Sequence, residues 1–276
     1  MKYILLNILL INIAIAHPID NLEENIKSFG TIEIYGQINI DINYICNPII
    51  QSCDNIPKKI LSVNSLNTLL KETPILKSSS VCIKNSDASS TFITANHVCN
   101  EIFDSTSVSG TFKNNLNIIF NNLLKLNSLI SPKEIDVKFY SHVKNIDNKK
   151  YKIKKVLKSI KESDLCLIEV EGNYKYTSNI SKRQPEIGDV IYNVAVPQGI
   201  QFKNSLPIFT GIFSGKYQTE NQEESYLLSI PASQGSSGSP VFNQEGEIIG
   251  IIYAAFKSFS HLSISSTLDQ VNILLR

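Results

Sequence analysis

A chain of 276 residues, 42% of them hydrophobic, can bury the core of one large domain or two small ones. Its net charge of +1 implies no strong electrostatic partner. The lack of a basic patch with interleaved aromatics argues against nucleic-acid binding.

The chain opens like an export signal. Lys2 supplies a short positive region, Ile4 to Ile13 is almost wholly apolar, and Ala14-Ile15-Ala16 is a small-x-small cleavage pattern. The apolar run is too short to span a bilayer comfortably. The expectation is a signal peptide over 1–16, cleavage after Ala16, export to an extracellular or periplasmic space, and no stable membrane span afterwards. Residues 17–77 read as an N-terminal extension or pro-segment, with strand-like alternation over Thr31–Ile40 and near-helical leucine spacing over Leu61–Leu76.

From about residue 78 the pattern becomes a series of short strands. Ser80–Lys84 and Thr91–Thr94 flank an Asn-Ser-Asp-Ala-Ser turn and read as a hairpin. Leu116, Ile119, Phe120, Leu123 and Leu124 follow helical spacing and predict a helix over Asn115–Leu126. Strands are predicted at Ile135–Phe139, Tyr151–Val156, Leu165–Val170, Val190–Val196, Ile208–Phe213, Ser225–Ile230, Val241–Phe242 and Ile248–Tyr253. Thr267–Leu275 closes the chain as a short helix. Many short strands with turn signals between them indicate an all-β barrel protein.

Export permits disulfides, and five cysteines leave at least one unpaired. Cys166, inside the apolar strand Leu165–Ile168, reads as a buried free thiol. Cys46 with Cys53, and Cys82 with Cys99, are possible pairs, although connectivity does not follow from sequence.

The chemistry concentrates in three places. Gly235-Ser236-Ser237-Gly238-Ser239-Pro240 offers a serine between glycines, which let the backbone turn so that successive N–H groups face one small space. Ser237 is the candidate nucleophile, and the backbone N–H groups of Gly235, Ser236 and Ser237 are the candidate oxyanion hole. His97 stands just past the apolar strand ending Phe92-Ile93-Thr94-Ala95, on a rigid support from which an imidazole can act as a general base. Asp164 directly precedes the apolar strand Leu165-Cys166-Leu167-Ile168 and is the best carboxylate to orient that base.

His97, Asp164 and Ser237, in this order and with these local motifs, resemble the chymotrypsin-like serine peptidase superfamily. Thr94-Ala95-Asn96-His97-Val98 and Asp164-Leu165-Cys166-Leu167-Ile168 are similar to the HtrA-like and glutamyl endopeptidase (V8-like) patterns. Gly235 to Asn243, followed by Gly246-Glu247-Ile248-Ile249-Gly250-Ile251, is closest to the V8-like one. The resemblance covers residues 78–276. It implies two six-stranded antiparallel β-barrels, one over about 78–172 and one over about 185–265, with a helical insertion in the first, a C-terminal helix over about 267–275 and no appended PDZ domain. It implies an exported serine endopeptidase working through an acyl-enzyme on protein or peptide substrates, without cofactor or metal, as a monomer. The alternative is a catalytically inactive peptidase fold used for binding.

Ser236 replaces the aspartate that trypsin-like zymogens use for activation. Ile252 stands where V8-like enzymes have a histidine, which puts glutamate preference in doubt. Pro231 stands where a trypsin-type pocket aspartate would be. Pro231, Ala254, Ala255 and His261 are the candidate substrate-binding residues.

Overall fold

The structure, a computed structural model, describes residues 18–40, 68, 71–103, 135–202, 205–219, 222–256 and 259–276. Twelve strands form two closed antiparallel barrels of six. The first runs in the order β1-β2-β3-β6-β5-β4, with β1 Phe29–Ile40, β2 Leu76–Asn85, β3 Ser89–Ala95, β4 Ile135–Lys144, β5 Lys150–Ile160 and β6 Leu165–Glu171. The second runs β10-β11-β12-β9-β8-β7, with β7 Val190–Val194, β8 Ile208–Gln218, β9 Glu224–Leu228, β10 Pro240–Phe242, β11 Ile248–Phe256 and β12 Phe259–Ser265. Helices α1 Pro18–Ile26, α2 Asn96–Phe103 and α3 Leu268–Leu275 accompany them, with a 3-10 turn at Pro197–Gly199. Among the described residues no helix is long and apolar enough to cross a membrane.

The double barrel matches the expected fold, with one correction. The expected start of barrel 1 near residue 78 moves back to Phe29, because β1 pairs with β2 on one side and β4 on the other and so closes the barrel. The alternation over Thr31–Ile40 was legible as a strand, but local pattern carries no information about a partner a hundred positions away. Ile32 and Ile34 fill the barrel interior with Phe92, Val143, Ile153 and Ile168. The predicted helix over Asn115–Leu126 and most of the Leu61–Leu76 segment lie outside the described residues.

Each barrel has its own core. Barrel 2 is filled by Ile191, Phe213, Tyr226, Leu228, Val241 and Ile249. A third cluster forms where the barrels meet, with Val81, Ile93 and Leu165 from one side and Val194, Phe242 and Ile251 from the other. Helices α1 and α3 seal it with Leu22, Val271 and Leu274. Helix α3 starts cleanly because Thr267 and Gln270 form a reciprocal capping box, satisfying two N-terminal N–H groups. Each aliphatic or aromatic side chain buried at the junction contributes roughly 1.5–3 kcal/mol, which fixes the barrels against one another.

The cysteine expectations are also corrected. Cys99 is bonded to Cys166, and Cys82 is the buried free thiol. The β3–β6 register sets Thr94 against Cys166, and α2 follows β3 directly, so Cys99 comes back over β6. Cys82 lies opposite Phe92 in β2 and belongs to the barrel core. Cys46 and Cys53 lie outside the described residues.

Candidate active site

The β3–β6 pairing aligns Ala95 with Leu165, so the residues after β3 and before β6 emerge at one end of barrel 1. These are His97 and Asp164. The His97 backbone N–H donates to Asp164 Oδ1 at 2.8 Å, and the imidazole Nδ1 lies 2.6 Å from Oδ2. The Asn96 N–H donates to the Asp164 carbonyl at 2.9 Å. One aspartate thus holds both the backbone and the ring of the histidine. It does so from a left-handed conformation, φ 50°, which aspartate tolerates better than most residues. With Nδ1 donating to the carboxylate, Nε2 is the free acceptor of the neutral ring.

Burial works to lower the His97 pKa. The hydrogen bond to Asp164 and its charge, together with the charge of Glu101, outweigh burial and raise it above the ordinary histidine value. Glu101 lies one helical turn beyond His97 on α2, and burial raises its own carboxyl.

Ser237 sits in a turn where both flanking glycines are obligatory. Gly235 has φ 95°, and a Cβ there would meet the Val196 carbonyl at 2.3 Å. Gly238 has φ 84°, and a Cβ there would meet the Ser79 carbonyl and Thr94 Oγ1, each at 2.1 Å. The turn is tied to both barrels. The Ser79 N–H donates to the Ser237 carbonyl at 2.9 Å, and the Gly238 N–H donates to the Ile252 carbonyl at 2.8 Å. Ser79 Oγ donates to the Gly235 carbonyl at 2.8 Å while accepting from the Val196 N–H at 3.3 Å. The Gln198 N–H donates to the Gln234 carbonyl at 2.6 Å, which turns the N–H of the next residue, Gly235, the opposite way.

Among the described residues nothing accepts from the N–H groups of Gly235 or Ser237. Ser236 differs: its N–H donates to the Ser233 carbonyl at 2.9 Å, so it is not open for an oxyanion. Its hydroxyl accepts from the Ser233 N–H, and the residue is 1% exposed. The side chain where a zymogen would carry a charge is closed into its own turn.

Beside Ser237 opens a pocket of about 440 Å³ lined by Ala232, Ile252, Tyr253, Ala254, Ala255 and Phe256, with no charged residue in its wall among the described residues. Ala254 and Ala255 are therefore together with Ser237. Pro231 and His261 are not in that wall; His261 lies exposed on β12, edge-on to Phe259. Sequence reasoning missed Ser79, Gln198 and Glu101. Glu101 had a signal, its i+4 spacing from His97. Ser79 and Gln198 had none, because their roles exist only once the barrels are assembled.

Two closed barrels, a carboxylate-held histidine and a glycine-flanked serine define the architecture of a double-barrel serine hydrolase. Residues 78–251 match the model of the trypsin-like peptidase domain, and the chain belongs to that family. A protein described as a probable periplasmic serine endoprotease DegP-like, from Hahella chejuensis, is 28% identical over 122 residues, covering 42% of this chain. The chain spans about a quarter (25%) of that relative's length. The crystal structure of the serine endoprotease from Yersinia pestis superposes with a TM-score of 0.57 over 94% of this chain and 65% of its own. At 12% identity that likeness is one of fold.

Proposed function

We propose that this chain is an exported serine endopeptidase. In this reading Ser237 Oγ attacks the carbonyl carbon of a peptide bond as His97 Nε2 takes its proton, forming a tetrahedral adduct. Asp164 orients the imidazole and stabilises the imidazolium. The N–H groups of Gly235 and Ser237 hold the oxyanion. His97 then returns the proton to the leaving amine, the C–N bond breaks, and water hydrolyses the acyl-serine by the reverse sequence of proton transfers. The observation that carries this reading is the double hydrogen bond from His97 to Asp164, beside a serine with two unclaimed N–H groups. The export motif over residues 1–16, the Cys99–Cys166 bridge and the periplasmic description of the Hahella relative support export.

The uncharged pocket beside Ser237 fits an apolar residue before the scissile bond, lodged against Ala254 and Ala255. Pro231 and His261 would then act on substrate only from outside that pocket. The deciding experiment is labelling with a fluorophosphonate probe at neutral pH, followed by peptide hydrolysis. Labelling of the wild type, and loss of both labelling and hydrolysis in a folded Ser237→Ala variant, is the expected result. An unlabelled, folded wild type points to a binding scaffold instead.

A further inference from the structure

Gln234, just before the nucleophile turn, lines two depressions. One is the apolar pocket beside Ser237. The other, about 270 Å³, is walled by Leu76, Lys77, Gln198, Gly199 and Gln234. It lies close to the chemistry, because Lys77 stands two residues before Ser79 on β2, and Ser79 donates its N–H to the Ser237 carbonyl. Residues i and i+2 of a strand share a face and lie roughly 6–7 Å apart. Lys77 is half-buried, and its ammonium donates to the Gly199 carbonyl at 3.2 Å. Among the described residues Lys77 has no ion pair. An ammonium has three donors; here one is engaged, by a neutral oxygen, so charge and hydrogen-bonding capacity remain unspent at the mouth of the depression.

A peptide with its acyl-side residue in the apolar pocket, and its scissile carbonyl facing Gly235 and Ser237, leaves the turn across Gln234. Its next residues then pass over the second depression. We propose that this depression is a leaving-group subsite, and that Lys77 makes it select Asp or Glu at the first or second position after the scissile bond. The inference rests on the serine-endopeptidase reading and deepens it by naming a substrate class: chains with an uncharged apolar residue before the cleaved bond and an acidic one shortly after. Gln198 and Gln234 line the same depression with neutral side chains, and among the described residues its wall holds no carboxylate to oppose an acidic substrate side chain.

A half-exposed pair of this kind discriminates by about five- to tenfold between acidic and basic side chains, less at high salt. The test is wild-type protein acting on a mixed peptide library, with the new N-termini sequenced. Acidic residues are expected to be enriched about two- to fivefold at the first or second position after the bond. In Lys77→Gln the enrichment disappears, and in Lys77→Glu it turns toward Lys and Arg. The measure is a ratio within one mixture, so a change in overall turnover cancels. Cleavage by the wild type with no acidic enrichment overturns the inference alone, as does a Lys77→Glu variant that keeps the wild-type ratio. No cleavage of any peptide overturns the peptidase reading and this inference with it.

Discussion

Removal of one hydroxyl, in Ser79→Ala, tests whether the nucleophile turn is held in shape from the other barrel. Ser79 is fully buried. Its Oγ is the link between the Gly235 carbonyl at 2.8 Å and the Val196 N–H at 3.3 Å. Alanine leaves both backbone groups without a partner in a site water does not reach. Each orphaned group costs about 1–3 kcal/mol, giving about 2–6 kcal/mol of stability, against the ~5–15 kcal/mol of an ordinary domain. Through most of that range the variant stays folded, and the unfolding curve shows whether it does. Its turn is freer to tilt at the Gly235–Ser236 peptide, and that tilt swings the adjoining N–H groups off the oxyanion. Losing one such donor typically costs ~10²–10³ in turnover, so kcat is expected to fall by about 10², with KM little changed, because the ground-state carbonyl gains little from the hole. Urea unfolding gives the stability change, and a chromogenic peptide amide gives kcat and KM. An unchanged unfolding midpoint with kcat within about twofold of wild type would show that the hydroxyl is not a strut.

Other predictions follow from the same geometry. Because Asp164 and Glu101 raise the His97 pKa, the neutral base forms only above a value higher than 6.5, and the acid limb of kcat/KM lies there. The imidazolium's contribution to stability is correspondingly complete below the unfolded-state pKa and lost as pH rises through the raised folded one. Asp164→Asn removes the two larger raising causes and leaves burial opposed by Glu101 alone, so residual activity titrates at lower pH; Glu101→Gln moves the limb the same way by less, and a pH–rate profile of each variant checks the order. Replacing Cys99 and Cys166 together by serine opens a loop with a sequence separation of 67. A loop of that length corresponds to about 4 kcal/mol of stability, seen as a lower denaturation midpoint that reductant no longer alters. Gly238→Ala drives a Cβ to 2.1 Å from the Ser79 carbonyl at φ 84°, and the expected result is loss of labelling by the fluorophosphonate probe. For the pocket beside Ser237, peptide amides with Val or Leu before the scissile bond are expected to exceed those with Asp or Lys by at least about tenfold in kcat/KM, since a charge in an uncharged wall is left unpaired.

His97 and Asp164 stood out as candidates because each borders a strand apolar enough to be seen locally, Thr91–Ala95 and Leu165–Ile168. Ser237 stood out as a candidate because two glycines bracket it. What lay beyond reach was pairing. The join of β1 to β4, the Cys99–Cys166 bond and the hub at Ser79 all depend on which distant segments meet. Cys166 looked like a core thiol, and it is fully buried, but Cys99, brought over β6 by α2, decided its chemistry. His261 drew attention as a titratable group on a strand near the pocket, yet it stands exposed on β12. Ser79 sits in Ser78-Ser79-Ser80, a run that locally says only strand.

The closure of barrel 1 has a consequence for how the chain must be made. β1 pairs with β4 over ten residues, from Thr31 with Lys144 to Ile40 with Ile135. These partners are roughly a hundred residues apart, among the slow, non-local contacts that govern folding rate. β1 leaves the ribosome first and has no second edge to settle on until Lys144 has emerged. Its alternating Ile32 and Ile34 present an apolar face through that interval, an unpaired edge open to wrong pairing until β4 closes the barrel.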